Sequence, residues 1–318
     1  LPTAAEPLEP KNLAVITSHF NPRGYQRPRE SYYRFARSVH EAGVDLWVAE
    51  LAFDDDPHVL SGSFSTSVMQ LRGTREKNEL WQKERLLNLM LDHLAKHECY
   101  DAVAWVDADV VFPDDGWPER VLTALRDYEA VQMYEDYYDL RPDGKMSMTG
   151  RSLVHGWKTS RVTTPVELQG APGLAWAARF QPGGWLRRLG LYDSAACSAN
   201  DVLQTWGFTG EQPWPSGWRD QQHPWLLQLR EWADATYRET QGRIGFLPMS
   251  LVHLYHGSAR DRGYGKIWAH VVNSYYDPAT DVCVDENGLL AWTDYALEYK
   301  PALVLGVRNH FAARKEDS

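Results

Sequence analysis

Two carboxylates separated by one residue close a short apolar run. In Tyr100-Asp101-Ala102-Val103-Ala104-Trp105-Val106-Asp107-Ala108-Asp109-Val110-Val111-Phe112, apolar residues bounded by charge predict a brief buried strand. Residues two apart in extended chain point to the same side, so Asp107 and Asp109 can converge on one cation at the strand's end. Carboxylates suit hard divalent ions such as Mg²⁺ or Mn²⁺, which keep positions open for water and for substrate phosphates. Asp-x-Asp can also end a strand without a metal, but like charges beside a buried strand repel unless a cation or ligand offsets them. A helix-loop-helix calcium site starting at Asp107 would need Asp or Asn at 111 and Gly at 112, where the chain has Val111 and Phe112. A phosphoaspartate phosphatase would need a Thr soon after the second Asp, and Val110-Val111-Phe112 supplies none.

The elements that must hold this pair read as alternating strands and helices. Leu13 to Ser18 is a first parallel strand, followed by the loop His19 to Gly24. An Arg-rich segment (Arg23, Arg27, Arg29, Arg34, Arg37) leads into a helix ending at Gly43, and Val44 to Phe53 is the second strand. That order predicts a right-handed parallel sheet with ligands at the carboxyl ends of its strands. The acidic run Asp54-Asp55-Asp56 reads as a solvated turn. Between Asn78 and Lys96, Leu80, Trp81, Leu86, Leu87, Met90, Leu91 and Leu94 recur at helical spacing, so one face is buried. Further on, a helix is predicted over Pro118 to Tyr128, a strand over Ala130 to Tyr134, a short helix over Asp201 to Trp206 and a longer one over Pro224 to Gln241. Ile244 to Met249 and Leu251 to Tyr255 are strand-like, Gln212 to Pro224 is a Trp- and Pro-rich loop, and residues 136 to 170 carry no clear period.

Composition is that of a globular protein: 318 residues, 43% hydrophobic and 24% charged, long enough for a sizeable core. Fourteen Trp and sixteen Tyr supply faces that stack on sugars or bases as readily as they fill cores. The formal charge of −10 disfavours polyanions as general partners, although a local basic groove can still hold one. Cys99, Cys197 and Cys283 form neither a paired framework nor a Cys-x-x-Cys metal pattern, which points to a reducing compartment. No apolar run approaches the roughly 20 residues of a transmembrane helix, and Leu1 to Asn12 is polar and Pro-rich, so a cytoplasmic location is expected. Walker loops, Gly-x-Ser-x-Gly elbows, His-Glu-x-x-His helices and internal repeats are absent from the sequence.

A strand ending in Asp-x-Asp within an N-terminal α/β half resembles the GT-A nucleotide-sugar glycosyltransferases. One bacterial and phage-associated group is resembled further in Leu80-Trp81-Gln82-Lys83-Glu84-Arg85-Leu86-Leu87-Asn88, in Gly173 to Ala177, in Gly190-Leu191-Tyr192-Asp193, in His253-Leu254-Tyr255-His256-Gly257-Ser258 with Arg262 and Tyr264, and in the tail Phe311 to Asp317. The resemblance implies a single GT-A catalytic domain over 1–318, with a Rossmann-like central sheet and helices on both faces. Its parts would be a flexible N-terminus (1–12), a nucleotide-sugar-binding half (12–135), an acceptor-binding half (136–257) and a C-terminal loop and tail (258–318).

The same resemblance implies roles. Asp107, Asp109 and His256 would ligate Mn²⁺ (or Mg²⁺) against the donor diphosphate, His256 being preferred to His253 because Gly257 lets the backbone approach a ligand. An imidazole beside carboxylates tilts preference towards Mn²⁺. Arg262, Tyr264 and Arg260 lie in a loop able to cover the diphosphate, where an Arg fork matches phosphate oxygens. Asp201, following Ser198-Ala199-Asn200, is the candidate base for the acceptor hydroxyl, or else simply the cap of its helix. Thr17, Ser18, His19 and Asn21, with Lys83, Arg85 and Trp105, would bind the nucleotide sugar; Arg27 and Arg29 would lie near the phosphates or on an acceptor rim. Trp176, Asn200, Trp214 and Trp218 would meet the acceptor.

The expected activity is metal-dependent transfer of a sugar, a hexose by resemblance, from a nucleotide-diphosphate sugar to an acceptor hydroxyl. The acceptor is a glycan, lipid or protein, or alternatively a hydroxymethylated pyrimidine in phage-type DNA, for which Arg23 to Arg37 with Arg260, Arg262 and Lys266 would have to share a face. The loop 213 to 225 would then wedge or stack a flipped base. Two other classes compete: a sugar nucleotidyltransferase, whose Gly-rich Arg-containing loop after the first strand is missing from Ser18 to Pro22, and a noncatalytic carbohydrate-binding protein.

Overall fold

A computed structural model describes residues 13–97, 100–160, 170–171, 173–198, 200–212 and 222–318. The expected flexible N-terminus, Cys99 and the two loop tryptophans Trp214 and Trp218 lie outside the described residues.

The chain is mixed α/β around a seven-stranded, mostly parallel sheet. Its strands are β1 (Leu13–Phe20), β2 (Asp45–Phe53), β3 (Ser67–Gly73), β4 (Ala102–Val106), β6 (Ala130–Gln132), β10 (Ala175–Arg179) and β11 (Ile244–Phe246), in the spatial order β3-β2-β1-β4-β10-β6-β11. β1 pairs in parallel with both β2 and β4, whereas β10 runs antiparallel to β4 and β6. A second sheet holds β5 (Val110–Val111), β7 (Asp136–Leu140), β8 (Met146–Ser152), β9 (Gly170–Ala171) and β12 (Ser250–His253), in the order β5-β12-β7-β8-β9.

Pleat alternation decides which side chains reach which layer. Leu13 and Val15 of β1, with Ala102 and Ala104 of β4, face a core shared with Tyr32, Phe35 and Val39 of the helix Gln26–Glu41. Ala14, Ile16, Val103 and Trp105 face the opposite core, built with Leu86, Leu87, Met90 and Leu94 of the helix Lys83–His97. Helices thus cover both faces, as the βαβ order predicts. A third core gathers Trp225, Leu229, Trp292, Val304 and Phe311 from the helices Pro224–Thr240 and Pro301–Ala313 and their surroundings.

Two local expectations change, and a third holds with an added partner. The chain does not stay extended through the Asp pair: β4 ends at Val106, and Val110 N donates to Asp107 O at 3.2 Å to close a turn. Residues 136–160, aperiodic in sequence, form the hairpin β7–β8 and the helix Leu153–Ser160. Asp54 and Asp56 form a turn clamped by Arg75, at 2.7 Å for Asp54.

Candidate metal and donor site

The carboxyl ends of β1 and β4 open into a cavity of about 440 Å³. Its wall includes Thr17, Ser18, His19 and Asn21 from the end of β1, Asp107 and Asp109 after β4, Lys83, Asn200 and Asp201 from helix starts, and His253, His256 and Arg262.

Because the chain turns at Ala108, the two carboxylates part company. Asp107 pairs with Lys83. Asp109 turns to the other side, where Oδ2 lies 2.9 Å from His256 Nε2 and 3.7 Å from His253 Nε2. Asp109, His253 and His256 each place one ligand atom within 4.8 Å of the others. The antiparallel pairing of β5 with β12, His253 opposite Val110, sets this arrangement. Among the described residues the group able to hold an ion is thus Asp109 with both histidines, while Asp107, expected beside Asp109 and His256, is paired with Lys83. Asp109 Oδ1 is buried with no hydrogen-bond partner, an acceptor that a cation would satisfy, so the residues present fit a divalent ion.

Electrostatics within the trio are sharply divided. Burial opposes ionisation of Asp109, but His256 and His253 hold its carboxyl well below the usual range. Burial lowers His256, whose Nε2 lies 2.7 Å from Arg262 Nη2 and accepts from it. For His253 burial is outweighed by Asp109 and by the hydrogen bonds to Asp109 and Asp139, which raise it to about 9. His253 Nδ1 donates to Asp139 Oδ1 at 2.7 Å, so β7 fixes the ring and leaves Nε2 facing the cavity. A carboxylate behind a ligating histidine is the usual device for setting its tautomer.

Opposite the trio sits a second charged group. Lys83 opens the helix Lys83–His97, and burial works against its charge while Asp107, Glu84 and Asp201 raise its pKa above the normal lysine value. Asp201, in the first turn of the helix Asn200–Thr209, is raised by burial and by Asp107, with Lys83 opposing. A Cβ on Gly173 would stand 2.4 Å from Asp201 Oδ2, so only glycine leaves room for that carboxylate. The next residue, Leu174, has φ +71°, and its carbonyl accepts from Asp107 N at 2.8 Å. Such left-handed backbone at a branched residue is strain held at the cavity wall. Glu84 is buried, and burial pushes it up to about 7; its Oε2 accepts from Asn200 Nδ2 and Trp81 Nε1, both at 2.8 Å. Asn200 keeps a buried Oδ1 without a partner on the same wall.

The other expected ligand-binding residues have varied surroundings. Trp105 and Trp176 are opposite one another on β4 and β10, stacked at 6.3 Å and 5° and largely buried, and both line a small pocket beside Lys83, Asp107 and Asp201. Arg85 points away from the cavity, with Nε donating to Gly288 O at 2.5 Å and Nη1 lying 3.2 Å from Asp193. Asn21 lines the cavity but spends both ends of its amide on the backbone of Tyr25. Arg27 lies over the Tyr255 ring and Arg29 over Tyr33. Thr17 Oγ1 donates to Val106 O at 2.7 Å, bracing β1 against β4. His19 is buried, its pKa lowered to about 4 by that burial, so the ring is neutral. The side chains of Arg260 and Tyr264 lie outside the described set. Asp139 and Glu84 carry no sequence signal for these roles, and the His-x-x-His spacing of 253 and 256 brings both rings to Asp109 only because the strand ends at His253.

Comparison with protein families and with characterised proteins finds no match. Among solved structures, a protein from Desulfovibrio desulfuricans G20 assigned to the nucleotide-diphospho-sugar transferases is similar at 12% identity over 77% of this chain and 82% of its own, with a TM-score of 0.33. Glucosyl-3-phosphoglycerate synthase from Mycobacterium tuberculosis, solved with Mn²⁺, uridine diphosphate and phosphoglyceric acid, is similar at 13% identity over 83% of this chain and 77% of its own, with a TM-score of 0.37. A Bacillus anthracis protein assigned as a glucose-1-phosphate thymidylyltransferase gives 9% identity over 76% of this chain and 87% of its own, with a TM-score of 0.34.

Proposed function

We propose that the protein is a metal-dependent glycosyltransferase of GT-A type, moving a sugar from a nucleotide-diphosphate sugar to an acceptor hydroxyl. One observation carries the reading: a cation-ready trio, an Arg beside it and a buried carboxylate with raised pKa share one cavity at the carboxyl ends of parallel strands. Asp109, His253 and His256 would hold Mn²⁺ in preference to Mg²⁺, since two imidazoles accompany one carboxylate. That ion would offset charge growing on the departing nucleoside diphosphate.

The chain's own groups do the rest. Arg262 donates to phosphate oxygens, and the β1 end (Thr17, Ser18, His19) borders the nucleotide. Asp201 accepts the proton of the acceptor hydroxyl as that oxygen bonds to the anomeric carbon and the bond from that carbon to the diphosphate breaks. Lys83, clamped to Asp107, keeps positive charge beside Asp201 and limits how far its pKa rises.

The test is release of nucleoside diphosphate from a panel of nucleotide sugars, with Mn²⁺, Mg²⁺ or chelator, with and without hydroxymethylcytosine DNA, in wild type and Asp109→Ala. Mn²⁺-dependent release that vanishes in the variant is expected, and stimulation by one acceptor class names the acceptor. Release from no donor under any metal would overturn the reading.

A further inference from the structure

The segment after the helix Pro301–Ala313 is built into the cavity wall. Phe311, Arg314 and Glu316 line it together with Trp81. A Cβ on Gly257 would stand 3.0 Å from Lys315 O and 3.1 Å from Glu316 Cα, so the segment lies directly on the turn after His256. Tyr25 Oη is 3.1 Å from Ala312 O and accepts from Lys315 N at 3.2 Å, and Asp317 accepts from Gln26 N and Arg27 N at 2.9 Å. The segment is therefore held at both ends, across the mouth of β1 and against the metal-ready turn.

Within it, Arg314 is placed for more than support. Its Nε donates to Glu316 Oε1 at 2.5 Å, and its guanidinium lies 5.7 Å from the centre of the Trp81 ring. Nη1 is shielded from solvent and has no hydrogen-bond partner, a donor held in reserve on a cavity wall. A buried N–H without an acceptor carries a desolvation cost that an arriving anion removes. Glu316 holds Nε and the Trp81 ring lies beneath the guanidinium, leaving Nη1 as the donor for a phosphoryl oxygen.

We infer that Arg314 binds the diphosphate of the donor, acting with Arg262 on the same cavity. The inference rests on the nucleotide-sugar reading above and assigns a further donor-binding residue to it. Binding of UDP, GDP, ADP and dTDP, each with Mn²⁺, and of the matching nucleosides, is measured by calorimetry for wild type, Arg314→Gln and Arg314→Lys, with thermal melts to show that each folds. The diphosphate that binds wild type should bind Arg314→Gln roughly 10- to 100-fold more weakly, with nucleoside affinity unchanged. Arg314→Lys, which keeps charge but loses the fork, should fall about fivefold and carries the test if the Gln variant does not fold. Equal diphosphate affinity in wild type and variants would overturn the inference alone, as would a loss confined to acceptor-stimulated turnover. Failure of wild type to bind any diphosphate would overturn the donor reading and this inference with it.

Discussion

Asp109 is the residue on which the cavity's chemistry converges, because two imidazoles meet at its carboxylate and one of them, His256, accepts from Arg262. Its supporting residue is Asp139, which accepts a hydrogen bond from His253 Nδ1 and so leaves Nε2 facing inward. Asp139→Asn should weaken Mn²⁺ affinity by about 10- to 100-fold with the fold intact, measured by metal titration. An unchanged affinity would show that His253 does not ligate. Glu84 offers a different readout. The unfolded chain loses the Glu84 proton near the usual glutamate value, whereas the folded protein keeps it until about 7. Stability from this group is therefore lost as pH rises between those values, by about 3 kcal/mol in full. Glu84→Gln can still accept from Asn200 and Trp81 without ionising, so the variant should gain on wild type at pH 8 relative to pH 5 in urea unfolding. A difference equal at both pH values would mean that Glu84 does not titrate in this window.

At the scale of elements, β1, β2 and β4 were legible as strands because β1 and β4 carry apolar residues on both faces, whereas the spatial order and the antiparallel β10 were not. Asp107 and Asp109 show where legibility stops. Their spacing implies convergence only if the chain stays extended, and the turn closed by Val110 N sends one carboxylate to Lys83 and the other to the histidines. Trp105 and Trp176 are a pair that residue type alone does not reveal: cross-strand pairing stacks them, largely buried, beside Lys83, Asp107 and Asp201. The hairpin β7–β8 escaped detection because its second strand is mostly exposed and carries no apolar period. Gly173 is the element-level feature with the sharpest consequence. In Gly173→Ala the new Cβ must displace the Asp201 carboxylate. Turnover should fall by roughly 100-fold with little change in donor affinity, since a shift of about 1 Å at a catalytic group is enough. Full turnover in this variant would remove Asp201 from the reaction.

The whole molecule is latched by residues distant in sequence. The helix Gln26–Glu41 starts without a side-chain cap from Tyr25 and without an acidic residue in its first turn, so its leading N–H groups have no local acceptor. Asp317 supplies one from the far end of the chain, accepting from Gln26 N and Arg27 N and placing negative charge at the positive end of the helix dipole. The same contact holds the segment carrying Arg314 against the cavity, so fold stability and donor affinity share a fastening. Asp317→Ala should cost about 1 kcal/mol, seen as a melting temperature lower by roughly 2–4 °C. It should also weaken binding of the nucleoside diphosphate, because Arg314 must then be ordered at the moment of binding. Adding the diphosphate should recover more of the lost melting temperature in the variant at saturating concentration than at low concentration, as mass action requires. A variant that melts lower but binds the diphosphate as wild type does would separate the cap from the site and leave Asp317 a purely structural fastening.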